Sequence, residues 1–244
     1  MKKVLLITGG GRGIGAATAL AAAHHGWDVA VNYQSNRARA EAVVDEIENM
    51  GGKAIAYQAD IADEHAVVAM FAAIDRDFGR LTGLVNSAGI LGPRGRIEQV
   101  DAASLADLLA INVTGMLICC REAIRRMSRN QGGAGGAIVN LSSAASRLGA
   151  PGEGVPYAAS KGAVDSLTFG LAQEVAGEGI RVNAVSPGVI DTEIQPAGRV
   201  ERIGPNLPMK RVGKAPEVAT AILYLLSDEA SYVSGTVLDV SGGR

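Results

Sequence analysis

Val4-Leu5-Leu6-Ile7-Thr8-Gly9-Gly10-Gly11-Arg12-Gly13-Ile14-Gly15-Ala16-Ala17-Thr18-Ala19-Leu20-Ala21-Ala22-Ala23 is the stretch on which the reading of the chain turns. A short apolar run enters a glycine-rich turn, and strong helix formers follow at once. In a strand–turn–helix of this kind the glycines let the backbone bend sharply and approach a pyrophosphate. The free N–H groups and dipole of the helix N-terminus then stabilise its charge. Gly9, Arg12, Gly13, Ile14 and Gly15 are therefore candidate dinucleotide contacts. No Gly-Lys-Ser/Thr follows the turn, which excludes a Walker loop and, with it, transfer of a γ-phosphoryl group.

The same rhythm continues through all 244 residues. Strand patterns at 4–7, 29–32, 54–58, 84–86, 137–141, 181–186 and 237–240 alternate with helical patterns at 13–25, 37–50, 63–78, 101–127, 157–176 and 216–226. This alternation predicts an α/β fold: one doubly wound, Rossmann-like domain over 1–244, with seven parallel strands flanked by helices on both faces. Three stretches interrupt it, at 92–96, 130–136 and 191–211. The second is glycine-rich and reads as a surface turn. The third, with Pro196, Pro205 and Pro208, is expected to be a substrate lid.

Composition narrows the functions further. The 23 Lys+Arg nearly balance 25 Asp+Glu, and a net charge of -2 supplies no field for gripping a nucleic-acid backbone. Few aromatics stand against 32 glycines, so base-stacking platforms are not indicated. Cys119 and Cys120 are adjacent in an apolar run, which excludes a disulfide framework, fits a reducing compartment and reads as ordinary core packing. The apolar run before the glycine turn is too short for a secretion signal. No segment approaches the roughly 20 apolar residues of a membrane span. A cytoplasmic protein with neither membrane nor nucleic acid as partner is expected. His24, His25 and His65 do not form a ligand cluster, so no metal is expected. The surroundings of Ser142 and Ser143 lack Gly-x-Ser-x-Gly, which argues against a serine hydrolase.

An acidic residue at the end of the second strand would take up the ribose 2′-hydroxyl of NAD. That strand ends Val31-Asn32-Tyr33-Gln34-Ser35-Asn36-Arg37, without a carboxylate, while Arg12 offers a guanidinium to a 2′-phosphate. NADP is therefore the expected cofactor, with NAD the alternative. Asp28, ahead of the strand, reads as a turn residue.

Further along, Tyr157-Ala158-Ala159-Ser160-Lys161 places a phenol and an ammonium about one turn apart on a single helical face. A nearby cation favours phenolate and is expected to lower the tyrosine pKa from its usual value near 10, fitting the pair to exchange a proton with a carbonyl oxygen. The ordered series Thr8-Gly9-x-x-x-Gly13-x-Gly15, Asn86-Ser87-Ala88-Gly89, Asn112, Ser142-Ser143, Tyr157-x-x-x-Lys161 and Pro187-Gly188 closely resembles the short-chain dehydrogenase/reductase family over essentially the whole chain. It is most similar to members labelled 3-oxoacyl-acyl-carrier-protein reductase-like or glucose 1-dehydrogenase-like.

The resemblance implies a role for each position. Tyr157 is the general acid that protonates the carbonyl oxygen, Lys161 holds the nicotinamide ribose and lowers the phenol pKa, Ser143 bonds the substrate oxygen, and Asn112 holds a water linking Lys161 to solvent. Asp60 and Ile61 meet the adenine, Asn86, Ala88 and Gly89 line the cofactor groove, and Pro187, Gly188, Ile190 and Thr192 meet the nicotinamide end. Asn32 and Ser35 join the cofactor-binding candidates. The sequence departs from the family pattern in two places. Ser87 replaces a usual asparagine, and the stretch from Ser143 to Tyr157 is slightly long, which keeps Ser142 as an alternative to Ser143. Arg94, Arg147 and Glu153 are expected at the pocket mouth, favouring a polar or anionic substrate. The resemblance further implies a homotetramer acting on a small carbonyl or alcohol. The alternatives are an NAD-linked sugar or polyol dehydrogenase and a non-catalytic nucleotide sensor.

Overall fold

Strand β1 (Val4–Thr8) is buried along its whole length, with Val4 and Leu6 turned to one side and Leu5 and Ile7 to the other. Side chains alternate along a strand, so one that is apolar throughout needs cover on both faces of its sheet. The computed structural model, which describes residues 3–244, supplies both covers. After β1 the chain runs through α1 (Gly13–His24), β2 (Asp28–Tyr33), α2 (Arg37–Asn49), β3 (Ala54–Gln58), α3 (Glu64–Phe78) and β4 (Gly83–Asn86). It continues with α4 (Ala102–Leu109), α5 (Met116–Met127), β5 (Gly136–Leu141), a short α6 (Ala145–Leu148), α7 (Val155–Val175) and β6 (Ile180–Pro187). Last come β7 (Ile190–Asp191), α8 (Arg199–Ile203), β8 (Gly213–Lys214), α9 (Ala215–Leu226) and β9 (Val237–Val240).

Among the described residues seven strands form one parallel sheet in the order β3-β2-β1-β4-β5-β6-β9, the doubly wound α/β architecture expected from the sequence. Helices α3, α5 and α7 cover one face through Phe71, Ile74, Met116 and Val164, while α1, α2 and α9 cover the other through Ala19, Ala22, Ile47 and Ile222. The chain leaves β1 toward β2 on one side and returns through β4 on the other, so the strand order reverses between β1 and β4. A crevice opens at the C-terminal ends of strands at such a reversal.

Several boundaries differ from the sequence reading. Asp28 is the first residue of β2, paired with Val4, rather than a turn residue. Helix α7 starts at Val155, because Pro156 suits a first helical turn where no N–H is needed. The helix expected over 101–127 is not uniform: it widens into a π-turn at Ala110–Gly115 between α4 and α5. By length and composition this continuous run, Ala102–Met127, could cross a membrane, contrary to the expectation that no segment would, and a third of its most apolar window is buried. The 191–211 segment carries α8, and its two ends are clipped together by the β7–β8 pairs Ile190 with Gly213 and Asp191 with Lys214.

The π-turn rests on Gly115, where an added Cβ would stand 2.5 Å from the Ile61 carbonyl oxygen. Gly115→Ala therefore forces overpacking against backbone, with an expected loss of about 1–3 kcal/mol. Thermal unfolding of that variant should show a midpoint several degrees lower. An unchanged midpoint would mean that the helix moves aside freely.

Candidate active site

The crevice at the β1–β4 reversal is a cleft of about 860 Å³. Its floor is stitched by Thr8, whose hydroxyl accepts from the backbone N–H groups of Ser87 and Ala88 at 3.1 Å each. Two glycines permit the turn above it. Gly9 has a φ of +63°, with an added Cβ only 2.9 Å from Ala88 Cα, and a Cβ on Gly15 would meet the Gly9 carbonyl oxygen at 2.4 Å. Helices α2, α3 and α4 are capped by the side chains of Asn36, Asp63 and Asp101. Helix α1 has no side-chain cap and no acidic residue in its first turn. Its leading N–H groups, beside Gly13 and Ile14 on the cleft wall, thus remain open donors of the kind that hold anions. The donor set and the glycine cradle fit a dinucleotide pyrophosphate.

The end of β5 and the start of α7 supply the second half of the site. Ser143, Tyr157 and Lys161 all border the cleft. The Ser143 hydroxyl is close enough to the Tyr157 phenol to favour its ionised form, and Lys161 Nζ lies 5.7 Å from the centroid of the phenol ring. Lys161 is buried, and its ammonium donates to the Leu141 carbonyl at 2.6 Å. Ser142 points elsewhere: its hydroxyl donates to Asp165 and to the Lys161 carbonyl. Asn112 sits in the π-turn, where Nδ2 donates to the Ile90 carbonyl at 2.9 Å and Oδ1 accepts from Ile90 N at 2.9 Å. It thereby braces the backbone that carries Gly89 along the cleft wall.

Residues 9–244 match the model of the family described as enoyl-(acyl carrier protein) reductase. The chain is 56% identical to the uncharacterized oxidoreductase YgfF of Escherichia coli over 99% of each chain. To the 3-oxoacyl-[acyl-carrier-protein] reductase FabG of Staphylococcus aureus it is 38% identical, covering 100% of this chain and 98% of the other. A crystal structure of a short chain dehydrogenase from Burkholderia cenocepacia in complex with NADP superposes with a TM-score of 0.91 at 36% identity, over 99% of this chain and 97% of that one. The chain belongs to the short-chain dehydrogenase/reductase family. By membership it is an oxidoreductase of the class that interconverts CH–OH and C=O groups with NAD(P).

Within this short-chain dehydrogenase/reductase fold most of the expected residues border one cleft. Gly9, Arg12, Gly13, Ile14, Asn32, Ser35, Asp60, Ile61, Ala88, Gly89, Pro187, Gly188, Ile190 and Thr192 all line it, and Gly9 packs against Ala88 and Gly13 against Thr192. Three do not reach it. Gly15 is buried under the turn, Asn112 lies behind the wall, and Asn86 turns inward to donate to Asn140 Oδ1 at 2.9 Å and to Cys120. Asn86 is thus a correction: its amide belongs to a buried polar network. Asn32 borders the cleft, yet its side chain accepts from Gly9 N at 3.2 Å and donates to the Ala59 carbonyl at 3.0 Å, so it shapes the turn from beneath. Arg147 was expected at the mouth but pairs with Asp239 away from the cleft.

The phenol pKa is a further correction. Burial pushes Tyr157 above its ordinary value, opposed by the Ser143 hydroxyl, in place of the expected fall caused by Lys161. The desolvation acts on both partners: burial lowers Lys161 to about 8, with Asp165 pulling it back up. Sequence reasoning also missed cleft residues that no local pattern marks. Arg199 of α8 is one, reaching Glu153 Oε2 at 2.7 Å, while Arg94 and Glu153 line the cleft as expected and approach each other at 3.4 Å. Arg39 pairs with Glu193 at 2.9 Å across 154 residues of sequence, and Arg244 also borders the cleft.

Folding moves Lys161 from a free-chain pKa of about 10.4 to about 8. The folded state therefore sheds this proton first, and the contribution of Lys161 to stability rises with pH across that interval. In NMR titration of protein carrying labelled lysine Cε atoms, one signal should move with a midpoint near pH 8 and vanish in Lys161→Met. If Lys161 instead titrates with the exposed lysines, water reaches its ammonium and the burial argument fails.

Proposed function

We propose that the protein is an NADP(H)-dependent oxidoreductase that interconverts a small polar carbonyl and its alcohol, with Tyr157 as general acid and base. The observation that carries this reading is the convergence of Ser143, Tyr157 and Lys161 on the wall of the cleft that also holds the uncapped N-terminus of α1. The bound nicotinamide supplies or accepts the hydride. Everything else falls to the chain. Ser143 donates a hydrogen bond to the substrate oxygen, and Tyr157 delivers its phenolic proton to that oxygen as the C–O bond becomes an alcohol. A phenol held above its ordinary pKa keeps that proton at neutral pH. Lys161 faces the phenolate that remains and favours it by its charge.

Reprotonation has a path beside Gly89. Asn112 Oδ1 and Lys161 Nζ both stand beside it, 3.2 and 3.8 Å from where a Cβ on Gly89 would lie, and a water relay from Lys161 past Asn112 would return the proton to Tyr157. Arg12 borders the cleft and carries no ion pair among the described residues, which favours the 2′-phosphate of NADP over NAD. The Burkholderia relative bound to NADP supports the same choice. Arg94, Arg199 and Arg244 outnumber Glu153 at the substrate end, which favours a substrate bearing an anionic group, and the 191–211 segment serves as its lid. A cytoplasmic location fits the FabG relative and the two unpaired, buried cysteines.

Turnover and binding separate the parts of this reading. Tyr157→Phe should lose about 10²–10⁴ in kcat, the usual contribution of general acid–base catalysis, while NADPH binding measured by fluorescence titration stays within about twofold of wild type. Arg12→Ala should weaken NADPH roughly tenfold or more, in line with about 1.5–3 kcal/mol for a hydrogen bond to a charged group, and leave NADH unchanged. Wild-type turnover by the tyrosine variant would remove Tyr157 from the mechanism, and an unchanged NADPH affinity would remove Arg12 from the phosphate site.

We further propose that the protein is a homotetramer built on α4, α5 and α7, which expose Leu109, Leu117 and Phe169 while packing side by side. Sedimentation equilibrium should give four times the chain mass, and a Leu117→Arg, Phe169→Glu double variant should give a smaller species. A wild-type protein that sediments as a monomer would refute the assembly.

A further inference from the structure

The ion pair between Arg39 and Glu193 spans the cleft at the cofactor end. Arg39 lies in the first turn of α2, three residues after Asn36 on the cleft wall, and donates from Nη1 to Glu193 Oε1 at 2.9 Å. Glu193 begins the 191–211 excursion just beyond β7 and borders the cleft as well. Its other oxygen hangs beside the phosphate turn: a Cβ on Gly13 would lie 3.9 Å from Glu193 Oε2 and 3.4 Å from Thr192 Cγ2. A carboxylate thus stands next to the open donors of α1, where a cofactor phosphate is favoured, and holds a guanidinium next to the end of β2. Both side chains are about half exposed, at 47% and 50%, so the pair is weakly held and exchangeable.

We propose that Glu193 is an internal competitor for Arg39, and that the pair sets cofactor preference and reports it to the lid. This rests on the NADP reading above. With the cleft open, Arg39 latches the start of the 191–211 segment to α2. A 2′-phosphate offers Arg39 a stronger, doubly charged partner, and Glu193, repelled by the neighbouring phosphates, leaves the turn. The residues that follow it, Ile194, Gln195, Arg199 and Ile203, border the substrate end, so release of Glu193 repositions the substrate wall. A cofactor without the 2′-phosphate gives Arg39 nothing to exchange for and leaves the latch shut. A ligand shifts such an equilibrium only by its differential affinity for the two states, and here the difference resides in one phosphate.

The experiment compares wild type, Glu193→Gln, Arg39→Met and the double variant. Dissociation constants for NADPH and NADH come from nucleotide fluorescence, and hydrogen exchange is followed over residues 190–203. Glu193→Gln should tighten NADPH about fivefold and NADH by less, widening the preference. Arg39→Met should weaken NADPH about tenfold without weakening NADH, and in its background Glu193→Gln should act on both nucleotides equally. NADPH should raise exchange at 192–195 of the wild type more than NADH does, a difference lost in both single variants. If wild type binds NADPH tightly but Glu193→Gln leaves the NADPH-to-NADH ratio unchanged, the latch is refuted and the cofactor reading stands. If wild type binds neither nucleotide, the cofactor reading fails and takes the latch with it.

Discussion

Lys161 Nζ lies inside the protein and donates to the carbonyl of Leu141, the last residue of β5. A charge in that position is tolerable only while acceptors surround it, because removing an ammonium from water is expensive. The strand end and the helix therefore hold each other in place. Ser142 and Ser143 leave β5 immediately after Leu141, and Tyr157 stands one turn before Lys161, so this contact fixes the approach of the hydroxyl to the phenol. Ser142 reinforces it by donating to the Lys161 carbonyl and to Asp165 on the same helix. A less buried lysine would keep its ordinary pKa but would leave the phenol without a fixed neighbour.

Behind this contact a chain of buried side chains ties three elements. Asn86 of β4 donates to Asn140 of β5, Asn140 donates to Thr168 of α7 at 3.0 Å, and Thr168 donates to the Val164 carbonyl at 2.8 Å. In a low-dielectric interior such bonds are strong, and an unmet partner is costly, so the network specifies one arrangement of strand against helix. Thr8 performs the corresponding task at the front, gripping the backbone after β4. The two halves of the cleft, glycine turn and proton-exchanging pair, are aligned by polar side chains that lie outside the cleft lining.

How much of this was legible in the sequence follows from the range of the interactions. The glycine turn and the Tyr157–Lys161 spacing are local, set by strand, turn and helix geometry within a few residues, and they read directly. The seven strands read equally well, because each is a short apolar run between turns. What the pattern could not carry is the direction of a side chain whose partner is distant. Asn86 and Asn32 sit at positions that suggest groove contacts, yet their amides meet backbone and side-chain groups 54 and 27 residues away. Arg147, in α6 between residues of the cleft wall, pairs with Asp239 of β9, 92 residues away. The π-turn escaped for the same reason, since Gly115 at its end packs against the Ile61 carbonyl on another crossover.

The charges on the 191–211 excursion show why that segment is the adaptable part of the molecule. Its base is firm: the β7–β8 pairs clip its ends, and Arg211 makes a two-pronged contact with Glu217 at 2.7 and 2.8 Å. Between those ends its tethers across the cleft are ion pairs, Glu193 to Arg39 with both partners half exposed and Arg199 to Glu153 with the arginine more buried. Such pairs hold little against water and salt. A hydrophobic seam in the same place would close the cleft permanently, and a segment without tethers would pay a larger ordering entropy on binding. Ion pairs give an intermediate solution in which each guanidinium is already positioned and an anionic ligand can replace the carboxylate that holds it. Ile194, between the two tethers, and Ile203, beyond Arg199, line the same cleft, so the segment that the pairs hold is also part of its wall.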